Sequence, residues 1–176
     1  MEKNNAKPIK IVVTGPESCG KSSLCEALAL HFQTSFVPEY AREYLDKTHG
    51  VYTQDDLVNI ARGQVALEDT YQSDNEGLLI CDTSLEVIRV WSEWKYGSCD
   101  AYILEKAHER APHLFLLLTP DIPWQADPLR ENPHNRDEIY KYYTQLLNDY
   151  SSKIVAISGD AKARLSKAID AIRANI

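Results

Sequence analysis

The chain has 176 residues and is acidic, with a formal net charge of −7 at pH 7. Its composition, 44% hydrophobic and 26% charged, is typical of a folded globular protein and argues against an intrinsically disordered chain. Binding to a nucleic-acid backbone requires a basic face, so the acidic balance and the lack of long basic runs argue against DNA or RNA as a partner. The composition fits an enzyme that acts on a small molecule.

The four cysteines are scattered, without a C-x-x-C pair or a cysteine–histidine cluster at zinc-binding spacing, which indicates a reducing compartment. Residues 1–8 are polar and lack the apolar core of a signal peptide. No apolar run reaches membrane-spanning length. We therefore expect a polar tail over residues 1–8 and a single domain over residues 9–176, in a soluble, cytoplasmic protein without a membrane partner.

The first predicted strand, residues 9–14, leads into the sequence GPESCGKS, which is followed by a helical run. This is the G-x-x-x-x-G-K-S pattern of a P-loop, in the strand–loop–helix context that the motif requires. Backbone N–H groups of such a loop bind nucleotide phosphates, Lys21 adds positive charge toward the β- and γ-phosphates, and the Ser22 hydroxyl is placed to bind Mg²⁺. We expect ATP and Mg²⁺ as ligands. The candidate contacts are Gly15, Glu17, Ser18, Cys19, Gly20, Lys21, Ser22 and Ser23.

Beyond this loop, apolar runs bounded by turn residues alternate with segments of helical periodicity. Such alternation predicts a three-layer α/β fold of the P-loop NTPase type, with a parallel sheet of about five strands between helices. Ligands in these folds bind beyond the carboxyl ends of the strands. The predicted strands are 9–14, 35–37, 78–82, 114–118 and 154–157, the predicted helices are 23–32, 39–45, 53–72, 84–96, 100–110, 136–150 and 161–172, and a turn is predicted at 75–77.

Two carboxylates follow predicted strands. Asp82 ends the third strand, as a Walker-B carboxylate does, and would hold Mg²⁺ together with Ser22; the alternative is a turn carboxylate or helix cap before Ser84. Glu39 ends the second strand, where a carboxylate can bind or deprotonate the hydroxyl group of an acceptor. The alternative is a carboxylate that stabilises the N-terminus of the next helix. Both residues are candidates for the base and for contact with the acceptor.

Four prolines crowd residues 120–136, which we name the proline-rich segment. A charged, proline-rich excursion within a compact domain is typical of a functional loop, and we expect a lid. Its Arg130 and Arg136 would stabilise the negative charge that develops during phosphoryl transfer, or else lie on a solvated surface. Arg42 either contacts the acceptor or pairs with Asp46 at i,i+4 spacing.

Aromatic residues cluster at the end of the fourth predicted helix, at Trp91, Trp94 and Tyr96. The two tryptophans are three residues apart and share one helical face. They either pack in the core or form a platform for a flat ring, which is most favourable when the ring is cationic. Tyr40, Tyr44 and Trp124 are further candidates for the same acceptor site.

Ser158 and Asp160 follow the fifth predicted strand. In that position they either lie beside the adenine of ATP or form a turn in which Asp160 caps the last helix. The sequence alone leaves both interpretations open.

Six sequence blocks, taken in this order, resemble the nicotinamide riboside kinase domain of bacterial NAD-biosynthesis proteins. The phosphate loop alone identifies a superfamily, whereas the combination of blocks is far more specific and covers nearly the whole chain. The blocks are GPESCGKS at 15–22, VPEYAREY at 37–44, ICDT at 80–83, WSEWKYG at 91–97, DIPW at 121–124 and ISGD at 157–160.

The resemblance implies a P-loop kinase that transfers the γ-phosphate of ATP to the ribose 5′-hydroxyl of nicotinamide riboside, giving nicotinamide mononucleotide. A cationic pyridinium ring agrees with the aromatic cluster and the acidic chain. Well-known family members carry a fused adenylyltransferase domain, and some carry a DNA-binding domain. Because this chain begins at the first kinase strand, we do not expect those activities in it. The resemblance leaves open whether Glu39 or Asp82 is the base and which aromatic residues face the nicotinamide.

Other P-loop functions fit less well. A GTPase is disfavoured because the sequence after the third strand, DTSL, is not D-x-x-G and no N-K-x-D motif occurs. The alternatives that stay open are a kinase for another nucleoside or nucleotide and an ATP-binding regulatory module without catalysis. The candidate lid and the carboxylate at Glu39 favour catalysis.

Overall fold

The computed structural model describes residues 7–74 and 77–176, in which strands and helices alternate. The strands are β1 (Ile9–Thr14), β2 (Phe36–Val37), β3 (Leu78–Asp82), β4 (Leu114–Leu118) and β5 (Lys153–Ile157). The helices are α1 (Lys21–Phe32), α2 (Tyr40–Lys47), α3 (Gln54–Asp74), α4 (Leu85–Tyr96), α5 (Ala101–Glu109), α6 (Arg136–Leu146) and α7 (Ala161–Arg173), with a short 3₁₀ helix (Leu147–Asp149) after α6.

The five strands form one parallel sheet in the order β2-β3-β1-β4-β5. β1 lies in the middle and pairs with β3 on one side and β4 on the other. All carboxyl ends of parallel strands meet at one edge, so the loops after β1, β2, β3 and β4 converge there. The predicted α/β architecture with a five-stranded parallel sheet is confirmed.

Two apolar cores cover the two faces of the sheet. Side chains alternate along a strand, so neighbours in β1 belong to different cores. Val12 packs with residues of α3, α4 and α5, whereas Ile11 and Val13 pack with residues of α1 and α7. All three are fully buried, which explains why the strand reads as a continuous apolar run. The sheet is therefore the middle of three layers.

Most predicted elements are found within a few residues of their expected bounds, and two differences occur at the ends of helices. The helix expected to reach residue 150 ends at Leu146 and tightens into the 3₁₀ turn. Glu39 lies before α2 in an extended conformation, as its N-cap. The polar tail, apart from residues 7–8, and two residues of the predicted turn at 75–77 lie outside the described residues.

A buried polar cluster ties β1 to the start of α4. The Lys10 ammonium donates to Glu68 at 2.8 Å and to the Ser84 hydroxyl at 3.0 Å, and Ser84 also donates to Glu68 at 2.5 Å. Glu68 is completely buried, so its charge depends on these donors. Ser84 is the N-cap residue of α4 and lies two residues after Asp82. The cluster therefore fixes the turn that carries Asp82.

Within residues 7–74 and 77–176, no helix combines the length and the apolar character needed to cross a membrane.

Candidate active site

A cavity of about 320 Å³ opens at the carboxyl edge of the sheet. It extends from the phosphate loop to α4 and is bordered by α2 and the proline-rich segment. The predicted site residues that line it are Gly15, Glu17, Ser18, Cys19, Gly20, Lys21, Ser22, Ser23, Glu39, Arg42, Trp91, Trp94 and Arg130. The predicted residues outside its wall are Tyr40, Asp82, Tyr96, Trp124, Arg136, Ser158 and Asp160.

The phosphate loop curls tightly around the Lys21 ammonium, which donates to the carbonyl oxygens of Gly15 at 3.0 Å and Pro16 at 2.7 Å. Gly15 has φ 134°, and a Cβ there would lie 2.7 Å from the carbonyl oxygen of Leu118, so only glycine fits. The loop ends at Gly20, the N-cap of α1. Neither a side-chain cap nor an acidic first turn occupies this helix end, which leaves its N–H groups to bind an anion.

Asp82 lies directly behind this loop. It is buried, and its carboxylate accepts a hydrogen bond from the Ser22 hydroxyl. Burial raises the pKa of Asp82, while the Ser22 hydrogen bond and the positive charge of Lys21 act in the opposite direction. The pairing of a P-loop serine with a strand-end aspartate is the donor set that a nucleotide-bound Mg²⁺ requires.

The protein offers only part of a coordination shell for Mg²⁺, as expected for an ion that binds together with a nucleotide. Among the described residues, no three histidine, cysteine or acidic side chains lie close enough together to hold a metal ion by themselves. Mg²⁺ in kinases is usually bound by one or two protein oxygens, with the substrate phosphates and water completing its shell. Ser22 and Asp82 would hold the ion on the protein side, and the ion would neutralise phosphate charge.

Two non-glycine residues of this region have positive φ: Ser18 in the phosphate loop, with φ 56°, and Thr83 next to Asp82. Thr83 has φ 63°, a left-handed conformation that β-branched residues rarely adopt. Its N–H donates to the carbonyl oxygen of Val13 at 2.9 Å, which extends the pairing of β1 and β3 by one residue. Such strain persists where surrounding structure over-determines it, often at functional sites. It fixes the direction in which the carboxylate of Asp82 leaves the sheet.

Glu39 faces the cavity from the start of α2. It is half-buried, and its side chain makes no capping hydrogen bond with α2. Burial raises the pKa of Glu39; the charge of Lys21 opposes this and the charge of Asp82 adds to it. The lack of a cap hydrogen bond leaves the carboxylate free to meet a substrate, while favourable interaction with the dipole of α2 is also compatible with this position.

The proline-rich segment lies over the phosphate loop and is held there by hydrogen bonds. The carboxylate of Glu17 accepts from the backbone N–H of Glu131 at 3.1 Å and of Asn132 at 2.8 Å. The Ser18 hydroxyl accepts from the backbone N–H of Gln125 at 2.8 Å. Arg136 donates to the Ser18 carbonyl oxygen at 3.2 Å. The segment is therefore placed as a lid would be.

The two predicted lid arginines have different positions. Arg130 lines the cavity and donates to the Ser18 hydroxyl at 3.4 Å. Arg136 binds backbone carbonyl oxygens behind the cavity wall. The Trp124 ring lies 5.9 Å from the guanidinium of Arg130 and 5.7 Å from that of Arg136. Trp124 therefore contacts the arginines, and it stands outside the wall of the cavity.

The far end of the cavity is aromatic and apolar. Trp91 is half-buried and donates from Nε1 to the Tyr52 hydroxyl at 2.9 Å, while Trp94 is 37% exposed and packs edge-on against Tyr142. Both tryptophans line the cavity, and Trp91 also packs against the core, so both sequence interpretations apply to it. Apolar neighbours in the wall are Leu45, Val87, Val90, Leu129 and Ile139.

Two predicted acceptor residues point elsewhere. The Tyr40 ring packs against Gly63 of α3, where a Cβ would lie 2.0 Å from a ring carbon. Tyr96 is half-buried against the core formed by α3, α4 and α5, and it does not line the cavity. Arg42 lines the cavity, and its ion pair is with Asp127 at 3.1 Å, so the i,i+4 alternative is not the pairing observed.

After β5, the alternative that involves a helix cap is the one observed. Asp160 is the N-cap of α7, and its carboxylate accepts from the N–H of Ala163 at 2.8 Å. The Ser158 hydroxyl accepts from Lys167 at 3.0 Å. A contact of Ser158 or Asp160 with adenine stays a prediction.

Sequence reasoning missed Arg164, which braces the phosphate loop. Its buried guanidinium donates to the carbonyl oxygens of Gly159 and Thr119 at 2.6 and 2.9 Å, and also binds Cys19 and Asp121. These partners belong to the phosphate loop and to the ends of β4 and β5. The sequence does show that Arg164 is a charged residue on an otherwise apolar face of α7. Its partners could not be identified from the sequence, because they are distant from it along the chain.

Comparison with known proteins adds to this geometry. A family model described as an AAA domain matches residues 10–164, most of the chain. The chain belongs to the AAA domain family. This match spans the phosphate loop and the proline-rich segment, which line the cavity, and Asp82, which lies behind the loop.

Individual relatives extend this result. The chain is 24% identical over 170 residues to the trifunctional NAD biosynthesis/regulator protein NadR of Escherichia coli K12, covering 93% of this chain and 42% of that protein. Crystal structures of NadR with NR, and with NAD and AMP-PNP, match with TM-scores of 0.72 and 0.77 at 21% and 23% identity, covering 96% of this chain. The chain spans about half the length of these relatives or less.

A deoxyadenosine kinase from M. mycoides shares the fold along almost its entire length, with a TM-score of 0.67 and 12% identity, covering 94% of this chain and 99% of that one. The matches to NadR confirm the resemblance that the sequence blocks indicated, and the fold is that of P-loop kinases.

Proposed function

We propose that this protein is a kinase that uses ATP and Mg²⁺ to phosphorylate the ribose 5′-hydroxyl of nicotinamide riboside. The observation that carries the proposal is a single cavity that joins the phosphate loop to an aromatic wall at Trp91 and Trp94. A phosphoryl donor and a flat-ringed acceptor can therefore meet in one cavity, and such placement is the main requirement of phosphoryl transfer. The likeness to NadR, whose structure contains NR, supports this choice of acceptor.

The donor half of the mechanism uses groups at the phosphate loop. Lys21 and the N–H groups at the start of α1 would hold the β- and γ-phosphates. When bound, Mg²⁺ would neutralise phosphate charge, with Ser22 and Asp82 as its protein ligands. Arg130 lines the cavity beside the loop and would stabilise the charge on the γ-phosphoryl group in the transition state, while Arg136 would hold the lid.

The acceptor half uses the other end of the cavity. Trp91 and Trp94 offer aromatic surface to a pyridinium ring, whose positive charge such surfaces favour. Of the two candidate bases, we assign this role to Glu39, because it lines the cavity while Asp82 lies behind Ser22. A raised pKa strengthens Glu39 as a base toward the 5′-hydroxyl. A single kinase domain in the cytoplasm completes this proposal.

A kinase for a different nucleoside or nucleotide is the second candidate. Its support is the fold shared with deoxyadenosine kinase and with thymidylate kinases, one of them from Candida albicans with a TM-score of 0.68. An ATP-binding regulatory module would need a phosphate loop but no binding site for a second substrate. The aromatic end of the cavity therefore favours either kinase over the module.

A phosphate-transfer assay over a panel of nucleosides and nucleoside monophosphates tests the proposal. We expect turnover with nicotinamide riboside in the presence of ATP and Mg²⁺, and loss of turnover in a folded Lys21→Ala variant, because Lys21 supplies charge rather than packing. Turnover confined to thymidine or to a nucleoside monophosphate would show the second candidate to be right. ATP binding without turnover of any acceptor would favour the regulatory module.

A further inference from the structure

Glu131 belongs to the proline-rich segment and binds two parts of the protein at once. Its backbone N–H donates to the Glu17 carboxylate of the phosphate loop at 3.1 Å. Its own carboxylate accepts from the Lys95 ammonium at 3.0 Å and from the Tyr52 hydroxyl at 2.7 Å. Lys95 lies on α4, next to Trp94, which lines the aromatic part of the cavity. One residue therefore touches both halves of the site.

Tyr52 extends this contact to the aromatic wall. Its hydroxyl accepts from Trp91 Nε1 at 2.9 Å and from the Lys95 ammonium, while it donates to Glu131. The Tyr52 ring also meets the Trp91 ring edge-on, with 4.7 Å between centroids and 67° between planes. A hydrogen bond and a ring contact together fix the orientation of the indole. Any displacement of the Tyr52 hydroxyl would therefore move or release Trp91.

These contacts form a continuous chain from Glu17 through Glu131 and Tyr52 to Trp91. We propose that Glu131 is a positioning residue that couples closure of the proline-rich segment over the nucleotide to the orientation of Trp91 in the acceptor wall. This proposal rests on the proposed function and deepens it. Coupling between two sites is reciprocal, so ATP would raise affinity for the acceptor and the acceptor would raise affinity for ATP by the same factor.

The size of the effect follows from exposure. The Glu131 and Lys95 side chains are 42% and 37% exposed, so their ion pair is screened by solvent. An exposed network of this kind supports a coupling of about two- to five-fold. Binding of ATP alone should be little affected, because the backbone hydrogen bond to Glu17 does not depend on the side chain at position 131.

Kinetics of Glu131→Ala test the proposal first. We expect the acceptor KM at saturating ATP and the ATP KM at saturating acceptor to rise by the same factor of about two to five, with kcat and the affinity for ATP alone near the wild-type values. Glu131→Gln keeps an oxygen for Lys95 and should recover part of the loss. Glu105→Gln, on the exposed face of α5, serves as the matched control. A rise in only one of the two KM values, or no rise in either, would overturn the proposal.

Hydrogen exchange provides a readout that does not need turnover. In the wild-type protein, AMP-PNP should slow exchange in residues 15–22 and also in residues 48–53 and 91–97. In Glu131→Ala, the first segment should still be protected, while the effect on the other two is lost. Equal protection of all segments in the variant would sink the coupling. Absence of nicotinamide riboside turnover in the wild-type protein would contradict the proposed function alone, since the exchange experiment does not involve the acceptor.

Discussion

The carboxylate of Glu17, within the phosphate loop, accepts a 2.8 Å hydrogen bond from the backbone N–H of Asn132, more than a hundred residues away in sequence. Glu17 is thus used to hold the proline-rich segment. Hydrogen bonds to a charged group contribute about 1.5–3 kcal/mol each when well formed. This contact gives the segment a defined position relative to the nucleotide site.

We predict that Glu17→Ala loosens the proline-rich segment without unfolding the protein. Hydrogen exchange of residues 125–132 should speed up, and the KM for ATP should rise about ten-fold, because roughly 1.4 kcal/mol is a factor of ten. Glu138→Ala, at an exposed position of α6, is the control. Unchanged exchange in the segment would mean that the remaining contacts to Ser18 suffice to hold it.

Asp82→Asn should abolish the response of the enzyme to Mg²⁺ while it preserves the fold. The amide has almost the same volume as the carboxylate and can still accept the Ser22 hydrogen bond, but it carries no charge for the metal. We expect turnover to fall by about 100-fold or more. Turnover measured against Mg²⁺ concentration, with thermal unfolding of the same samples, gives the answer. A wild-type Mg²⁺ profile in the variant would refute the assignment of Asp82.

The two tryptophans should separate in their effects. Trp94→Ala should raise the KM for the acceptor more than the KM for ATP, with little loss of stability, because this side chain is 37% exposed. Trp91→Ala should also lower the free energy of unfolding, by about 3 kcal/mol, since the ring packs against the core. Steady-state kinetics together with denaturant titration distinguish the two. If Trp94→Ala unfolds the protein, Trp94 is a core residue instead.

Stability should depend on pH through a buried carboxyl group at the start of α4. Burial raises the pKa of Glu86 from 4.5 to about 7, although the charge of Lys10 opposes the shift. The folded state therefore keeps this proton over a pH range in which the unfolded chain releases it. Stability is lost as pH rises from the unfolded pKa to the folded one, by on the order of 3 kcal/mol in total.

The pKa values of Glu39 and Asp82 are also raised in the folded state, so these groups likewise lower stability as pH rises. The melting temperature should thus be higher near about pH 5.5 than near about pH 8, and Glu86→Gln should reduce this difference. Neighbouring charges at Lys10 and Glu68 remain in the variant, so the comparison isolates the Glu86 proton. A melting temperature that rises between the two pH values would contradict the expected sign.

The sequence predicted those parts of the site that depend on local patterns. The phosphate loop has a fixed spacing and a required context, and Asp82 is marked by the apolar strand before it. The fold could be predicted because alternating strands and helices allow few arrangements. Glu39 was found for the same reason as Asp82, since a parallel strand ends just before it.

What could not be predicted depends on contacts between distant residues. Nothing near Arg164 in sequence indicates that it binds the phosphate loop, and nothing near Lys95 indicates that it meets Glu131. Tyr40 was proposed for the acceptor site as a further aromatic residue, but Gly63 leaves space beside α3 that the Tyr40 ring fills. A residue that follows a strand reaches the edge of the sheet, yet packing of the next helix decides which way it points.

The close approach of Gly15 to Leu118 has a practical consequence for altering this protein. A Cβ on Gly15 would lie only 2.7 Å from the Leu118 oxygen, so the first residue of the phosphate loop packs directly against the last residue of β4. The proline-rich segment begins two residues after Leu118, so variants in that segment would also disturb the binding of ATP. Substrate range is better explored at the opposite wall, where side chains can be exchanged while the donor half stays unaltered. The positions for such a library are Val87 and Trp94, which line the cavity without being fully buried.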